Sequence, residues 1–217
     1  MLRCTGAAVA AILLAPLIVL IALAVRIDGG RPVLYREFRL GRGGRPFRIY
    51  KFRTLRPDGR GPRVAPRGDP RVTRVGARLR RAHLDELPQL FNIVRGDMAF
   101  VGPRPEPEAL WRGTDPSLRA RVLRFRPGVT SPAALAFLCE DEVLAGRDDA
   151  ERLYRDVILP AKAARDAAHF ECATFLDHVA TLARTARALF VRDDACCTAR
   201  IRRVLHAAGH VPSEDRE

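Results

Sequence analysis

Residues 7–25, AAVAAILLAPLIVLIALAV, are the longest apolar run in the chain, 19 residues without a charge. As one straight helix the run would extend roughly 28 Å, close to the thickness of a bilayer's hydrocarbon core. Pro16, near its middle, removes a backbone donor and clashes with the preceding turn, so a bend is expected there. A bent run predicts a re-entrant helix whose limbs return to one face. Arg3 then stays on the side of the arginines that begin at Arg26, in keeping with the positive-inside tendency, whereas a single spanning helix would send Arg3 across. A straight transmembrane anchor and a cleaved signal peptide would use the same stretch. The residues that follow, Val25, Arg26, Ile27 and Asp28, supply no small-residue cleavage site.

Beyond Gly29 and Gly30 the pattern shortens. Residues 32–38 and 46–54 read as two strands around a turn built on Gly41, Gly43 and Gly44. Residues 55–70 carry Pro57, Pro62, Pro66 and Pro70 without periodicity and predict a surface loop, a candidate lid. Leu84, Leu87, Leu90, Phe91 and Val94 then recur at helical spacing and Gly96 offers a stop, which predicts a short helix over 86–95. Pro88 belongs in its first turn, and Asp85 and Glu86 fall at its N-terminus.

Two helical stretches, 149–159 and 162–170, flank Pro160. Over about 171–191, Phe175, Leu176, Val179, Leu182, Ala183, Ala186, Leu189 and Phe190 form an apolar stripe with Arg184, Arg187 and Arg192 off it, suited to packing on a core or lying on a membrane. The expected class is α+β, mostly helical. It comprises a membrane-inserted helix over 1–28, a small cytoplasmic catalytic domain over 29–192 with a β-hairpin and amphipathic helices, and a polar tail over 193–217. A chain of 217 residues suffices for one core, not two.

Charge sharpens this picture. The formal net charge is +13, and residues 26–81 hold 18 Lys or Arg against Asp28, Glu37, Asp58 and Asp69, a net +14, so the rest of the chain sums to about −1. A basic block directly after an apolar run fits a cytoplasmic face on anionic headgroups or phosphate-bearing substrates. Aromatic residues make up only 6%, too few for a base-stacking nucleic-acid platform. Five cysteines, an odd count without CxxC spacing, indicate neither a disulfide framework nor a zinc site. The adjacent Cys196 and Cys197 read as ordinary surface thiols.

Adjacent carboxylates at a helix start are in most proteins capping groups. Here the preceding segment is densely cationic, the same helix end suits phosphate, and Asp97 lies one short helix away. Acidic groups among phosphates suggest a divalent metal, with Mg²⁺ taking a few carboxylates plus phosphate oxygens. The stiff VGPRPEPE, residues 101–108, presents Arg104 and Glu106 either as a phosphate clamp or as a plain structural turn.

The segment LDELPQLFNIVRGDMAFVGPRPE, residues 84–106, closely resembles the signature of bacterial sugar transferases, the monotopic phosphoglycosyl transferases. Supporting stretches are GRPVLYREFRLGRGGRPFRIYKFRTL (30–55), DPRVTRVGARLRR (69–81) and RPGVT (126–130), and the likeness extends over roughly residues 7–192. The resemblance implies transfer of hexose-1-phosphate from a UDP-sugar to polyprenyl phosphate at the inner face of the bacterial cytoplasmic membrane, releasing UMP. It implies Asp85 as nucleophile and Glu86 as second member of the dyad, both on Mg²⁺, with Lys51, Arg53, Arg104 and Glu106 lining the substrate site. The partners it implies are the UDP-sugar, the polyprenyl phosphate and membrane lipid, without nucleic acid.

The chain departs from that pattern at three places. Ala15-Pro16 stands where many members have Ser-Pro, residues 131–146 replace a glycine- and glutamine-containing stretch, and His83 takes a position often held by Ser or Thr. A non-catalytic basic protein of the membrane surface or of nucleic acid is the alternative; it leaves the 84–106 signature unexplained.

Overall fold

The computed structural model describes residues 2–56, 61–191 and 194–209. Pro57 and Asp58 of the expected loop, Arg192, and the side chains of Arg3, Phe190 and Cys196 fall outside that set. The class is mostly helical α+β with two small two-stranded sheets.

The apolar run divides into α1 (Leu2–Leu13) and α2 (Ala15–Gly29), with Pro16 in the first turn of α2, where its missing N–H has no intrahelical partner to lose. The two are bent by 64°, and no single helix among the described residues is long and apolar enough to cross a membrane. Both limbs rest on the same domain. Ala7 of α1 is fully buried with Phe47, Ile49, Leu90, Ile93 and Met98, and Ala10, Ala11 and Leu14 pack on that cluster. Ile21 and Val25 of α2 are buried with Phe52 and Leu79. The opposite faces leave Ile12, Leu13, Val19, Leu20 and Leu23 exposed.

The expected hairpin is β1 (Leu34–Leu40) and β2 (Pro46–Phe52), antiparallel with Tyr35 opposite Lys51. Gly43, at φ 70° inside the connecting turn, occupies backbone space that favours a residue without Cβ. Helix α3 (Arg74–Arg81) starts on Thr73, whose hydroxyl accepts from Gly76 N–H at 3.0 Å. The carboxylate of Asp28 accepts from Val75 N–H at 2.7 Å and ties the end of α2 to the same helix start.

The expected helix over 86–95 is shorter and begins later. Residues Leu84–Glu86 form a single 3₁₀ turn, and α4 (Gln89–Arg95) follows with Pro88 as its N-cap and Gly96 at φ 85° as its stop. Asp85 and Glu86 therefore sit on a separate tight turn and not at the α-helix N-terminus. The cause is His83, whose left-handed backbone (φ 53°) ends the preceding chain direction. Leu84 and Leu87 anchor the turn against the Ile21, Val25, Phe52 and Leu79 cluster. Asn92, fully buried, stitches α4 to the hairpin: Tyr50 N–H donates to its Oδ1 at 3.1 Å and its Nδ2 donates to Arg48 O at 2.8 Å.

A second sheet, absent from the sequence expectation, pairs β3 (Ala99–Val101) with β4 (Gly128–Thr130) in parallel, across α5 (Pro116–Leu123). At Gly102 and Gly128 a Cβ would strike the opposing backbone, so only glycine permits this approach. Gly128 N–H donates to Pro103 O at 3.0 Å and fixes the backbone that carries Arg104.

The main core is built by α6 (Pro132–Ala136), α7 (Glu140–Val143) and a helical segment over 150–170. That segment is continuous across Pro160: α8 (Ala150–Leu153) passes through a π turn (Tyr154–Ile158) into α9 (Leu159–Phe170). Pro160 cannot donate back to residue 156, and the turn ahead of it widens so that Leu159 N–H reaches Tyr154 O.

Helix α10 (Phe175–Phe190), opened by a capping box on Thr174 and Asp177, points its threonines inward. Thr181 is 3% exposed and the Thr185 hydroxyl meets that of Thr130 at 2.8 Å, while Phe175, Leu176, Val179, Leu182 and Leu189 face out. The segment expected as a polar tail is helical as α11 (Asp194–Ala207) and buries Ile201 and Leu205 in the main core. Cys197 packs on the same core, and Cys139 N–H donates to its Sγ.

Candidate active site

A cavity of about 550 Å³ opens above the dyad turn, between the hairpin, α3 and the residues just before and in α7. Its wall carries Lys51, Arg53, Arg80 and Arg104 around Asp85 and Glu86. Three of the four expected substrate-lining residues, Lys51, Arg53 and Arg104, line it with the dyad; the fourth, Glu106, lies behind the wall, 4% exposed, in a neighbouring cleft.

The two carboxylates of the dyad have opposite surroundings. Glu86 Oε1 accepts from Lys51 Nζ and from Arg104 Nη2, each at 2.7 Å. Burial works against its charge, but Arg104 and Lys51 outweigh burial through charge and direct hydrogen bonds, and the carboxyl is held well below the usual range. Arg104 is raised in turn by Glu86, and burial pulls Lys51 down against the attraction of Glu86. No described residue donates a hydrogen bond to the Asp85 carboxylate. Burial first and the Glu86 charge second push its pKa up, with Lys51, Arg80 and His83 pulling the other way. Of two carboxylates, one with raised basicity and no hydrogen-bond donor among the described residues is chemically the better suited to attack.

Arg80 was not singled out by sequence, since Arg78, Arg80 and Arg81 look alike within one basic run. The fold brings Arg80 and Arg81 to the cavity and leaves Arg78 off it. Arg80 Nε donates to Thr54 Oγ1 at 2.9 Å and Nη1 to Ala65 O at 2.8 Å, which fastens the 55–70 loop to α3 beside Asp85. Arg53 enters the cavity with no ion-pair partner among the described residues. Asp97, counted with the dyad in the sequence, is elsewhere: it pairs with Arg95 at 3.4 Å and lines a separate cleft with Arg42, Arg45 and Arg126. The replaced segment 131–146 reaches the cavity through Leu138, Glu140 and Asp141. His83 lines it as well, its Nε2 buried without a partner among the described residues.

Among the described residues no group of three His, Cys, Asp or Glu side chains gathers to enclose a metal. The dyad still suits Mg²⁺, which keeps several waters and takes one or two carboxylates plus substrate phosphate oxygens. Among the described residues Asp85 has no donor to displace, and the bonds to Glu86 fall on Oε1.

Adjacent carboxylates beneath a ring of Lys and Arg form a charge pattern suited to phosphate groups. The chain belongs to the bacterial sugar transferase family, whose model matches residues 1–192. It is 48% identical over 133 residues to the UDP-glucose:undecaprenyl-phosphate glucose-1-phosphate transferase of Caulobacter vibrioides, covering 59% of this chain and 49% of that protein. It is 41% identical over 129 residues to the UDP-N-acetylgalactosamine-undecaprenyl-phosphate N-acetylgalactosaminephosphotransferase of Aeromonas hydrophila, covering 58% and 30%. A third relative is the UDP-glucose:undecaprenyl-phosphate glucose-1-phosphate transferase of Escherichia coli, 38% identical over 128 residues, covering 57% and 28%. The chain spans about half the length of these curated relatives or less.

Proposed function

We propose that this chain transfers hexose-1-phosphate from a UDP-sugar to polyprenyl phosphate and releases UMP, as a first step of glycan or exopolysaccharide assembly. The observation that carries the reading is the asymmetry of the dyad. Glu86 is clamped by Lys51 and Arg104, while Asp85 beside it takes no hydrogen bond from a described residue and faces the cationic cavity.

In this reading a carboxylate oxygen of Asp85 attacks the β-phosphorus of the donor. The bond from that phosphorus to the bridging oxygen breaks, and UMP leaves with the electron pair. An acyl phosphate bearing the sugar remains on Asp85. An oxygen of the polyprenyl phosphate then attacks the same phosphorus and returns Asp85 as a carboxylate. Lys51, Arg53, Arg80 and Arg104 hold the phosphate oxygens, and Glu86 keeps Lys51 and Arg104 aimed at the reacting centre. Mg²⁺ would be held by Asp85 and Glu86 and would offset the repulsion between attacker and diphosphate.

The reading also places the domain on the cytoplasmic face of the bacterial inner membrane, with α1 and α2 as a re-entrant pair. Its support is that both limbs pack on one domain and leave outward faces of Ile12, Leu13, Val19, Leu20 and Leu23, with a further apolar row on α10 for lipid contact. Tags on both termini, probed by protease from each side of the membrane, test this; termini on opposite sides would overturn it. The activity is tested by incubating detergent-solubilised protein with a panel of UDP-sugars, Mg²⁺ and polyprenyl phosphate and measuring UMP. Release with at least one sugar is expected, and none with any sugar would overturn the reading.

A further inference from the structure

Behind the cavity wall runs a chain of buried polar groups that the transfer reaction does not itself call for. Lys162 Nζ sits 2.9 and 2.7 Å from the two carboxylate oxygens of Glu140 and donates to Tyr154 Oη at 3.4 Å. The Tyr154 hydroxyl donates to Glu106 Oε1 at 2.7 Å. Arg39 Nη1 donates to the other oxygen of Glu106 at 3.0 Å. Arg104 Nε lies 3.8 Å from Glu106 Oε1, and its Nη2 grips Glu86. Lys162, Tyr154 and Glu106 are each 4–5% exposed.

Buried ion pairs add little net stability, because desolvation offsets their attraction; what a fully bonded set provides is a single geometry. The geometry here concerns Arg104, which stands between two carboxylates. Glu86 holds it directly at 2.7 Å, while Glu106, whose two oxygens accept from Tyr154 and Arg39, stands 3.8 Å away. Without the tyrosine hydroxyl, Glu106 Oε1 would lack a close donor, and the nearest replacement is Arg104 Nε. Taking that donor would draw the guanidinium off Glu86. The one widened turn in the 150–170 segment starts at Tyr154, and such turns recur at functional sites.

We propose that Tyr154 is a positioning residue: its hydroxyl, backed by Lys162, supplies the close donor to Glu106 Oε1, so that Arg104 stays on Glu86. The inference rests on the transfer reading given above and adds to it a residue about 70 positions from the dyad in sequence. Tyr154 does not line the cavity above the dyad. Its effect therefore falls on the reacting geometry and not on donor affinity.

The test is Tyr154→Phe, which keeps the ring and its packing and removes the hydroxyl alone, assayed by UMP release with the sugar the parent uses. The expected result is a kcat lower by about ten- to a hundred-fold. KM should move by less than about threefold, and the melting temperature should stay within about 4 °C of the parent. In an Arg104→Lys background, adding Tyr154→Phe is expected to change kcat by less than about twofold, because the path through the guanidinium is already broken. Parent-like kcat in Tyr154→Phe, or the same fold-loss in both backgrounds, would overturn the inference. Should Tyr154→Phe melt well below the parent, Glu106→Gln reads the same path and must lower kcat with KM held; a pure KM effect there would overturn the inference too. No UMP from the parent with any sugar removes the transfer reading and this inference together, whereas an active parent with an unaffected Tyr154→Phe removes this inference alone.

Discussion

Arg104 Nη2 and Lys51 Nζ meet on one oxygen of Glu86, each at 2.7 Å, although Lys51 lies 35 residues before that glutamate and Arg104 18 residues after it. The glutamate is the hub that brings the hairpin cation and the 101–108 cation together beside Asp85. Glu86→Gln keeps the shape but removes the charge that offsets two buried cations. UMP release is expected to fall at least about a hundredfold, because Lys51 and Arg104 lose their common anchor. A steady-state assay of the purified variant checks this.

Asp85→Asn separates chemistry from folding. The amide is nearly the same size but a poor nucleophile, so turnover should vanish. Burial and the neighbouring Glu86 already penalise the Asp85 charge, so removing that charge should leave the melting temperature equal to or above the parent's. A parallel melt and UMP assay reads both, and normal turnover would strip Asp85 of its role.

Chelation addresses the metal. With EDTA in excess of Mg²⁺, UMP release should drop to background and return when Mg²⁺ is restored, since two carboxylates facing a diphosphate need a counter-charge. Full activity in chelator would discard Mg²⁺ from the site.

Asp166 provides a pH signature remote from the dyad. It is 3% exposed and accepts from Ala133 N–H at 2.9 Å at the start of α6, and burial pushes its pKa up from 3.8 to about 6. A folded pKa above the unfolded one means that its contribution to stability is full below about pH 4 and is lost as pH rises through 6. Relative to Asp166→Asn, the parent should therefore lose about 1.4 kcal/mol of stability between pH 5 and pH 8. Denaturant unfolding of both proteins at the two pH values measures the difference, and a constant gap would show that Asp166 does not titrate there.

Arg80→Lys keeps a charge near Asp85 but gives up the paired bonds to Thr54 and Ala65. Loss of the loop's tether should raise KM for the UDP-sugar several-fold and increase proteolytic cutting within residues 55–70. Unchanged KM and cutting would show that the loop is held by other contacts.

Local chemistry made much of this protein legible before its fold was known. An apolar run interrupted by Pro16 bends, two short strands around glycines pair, and carboxylates inside a basic segment mark a site; each effect acts within a few residues and so leaves a readable pattern. Tertiary structure decided the rest. The break that puts Asp85 and Glu86 on their own 3₁₀ turn comes from the left-handed backbone of His83, a conformation that residue type does not announce. The parallel pairing of β3 with β4 joins three-residue segments too short to show a period.

Packing likewise bonded Arg80 to Thr54 and Ala65, sent Asp97 to another cleft, turned the threonine side of α10 inward and drew α11 onto the core. Sequence determined which residue types could do phosphate chemistry. Only the fold decided that Glu86 would be clamped and Asp85 left open, because hydrogen bonds between residues tens of positions apart exist only once burial has brought their elements together.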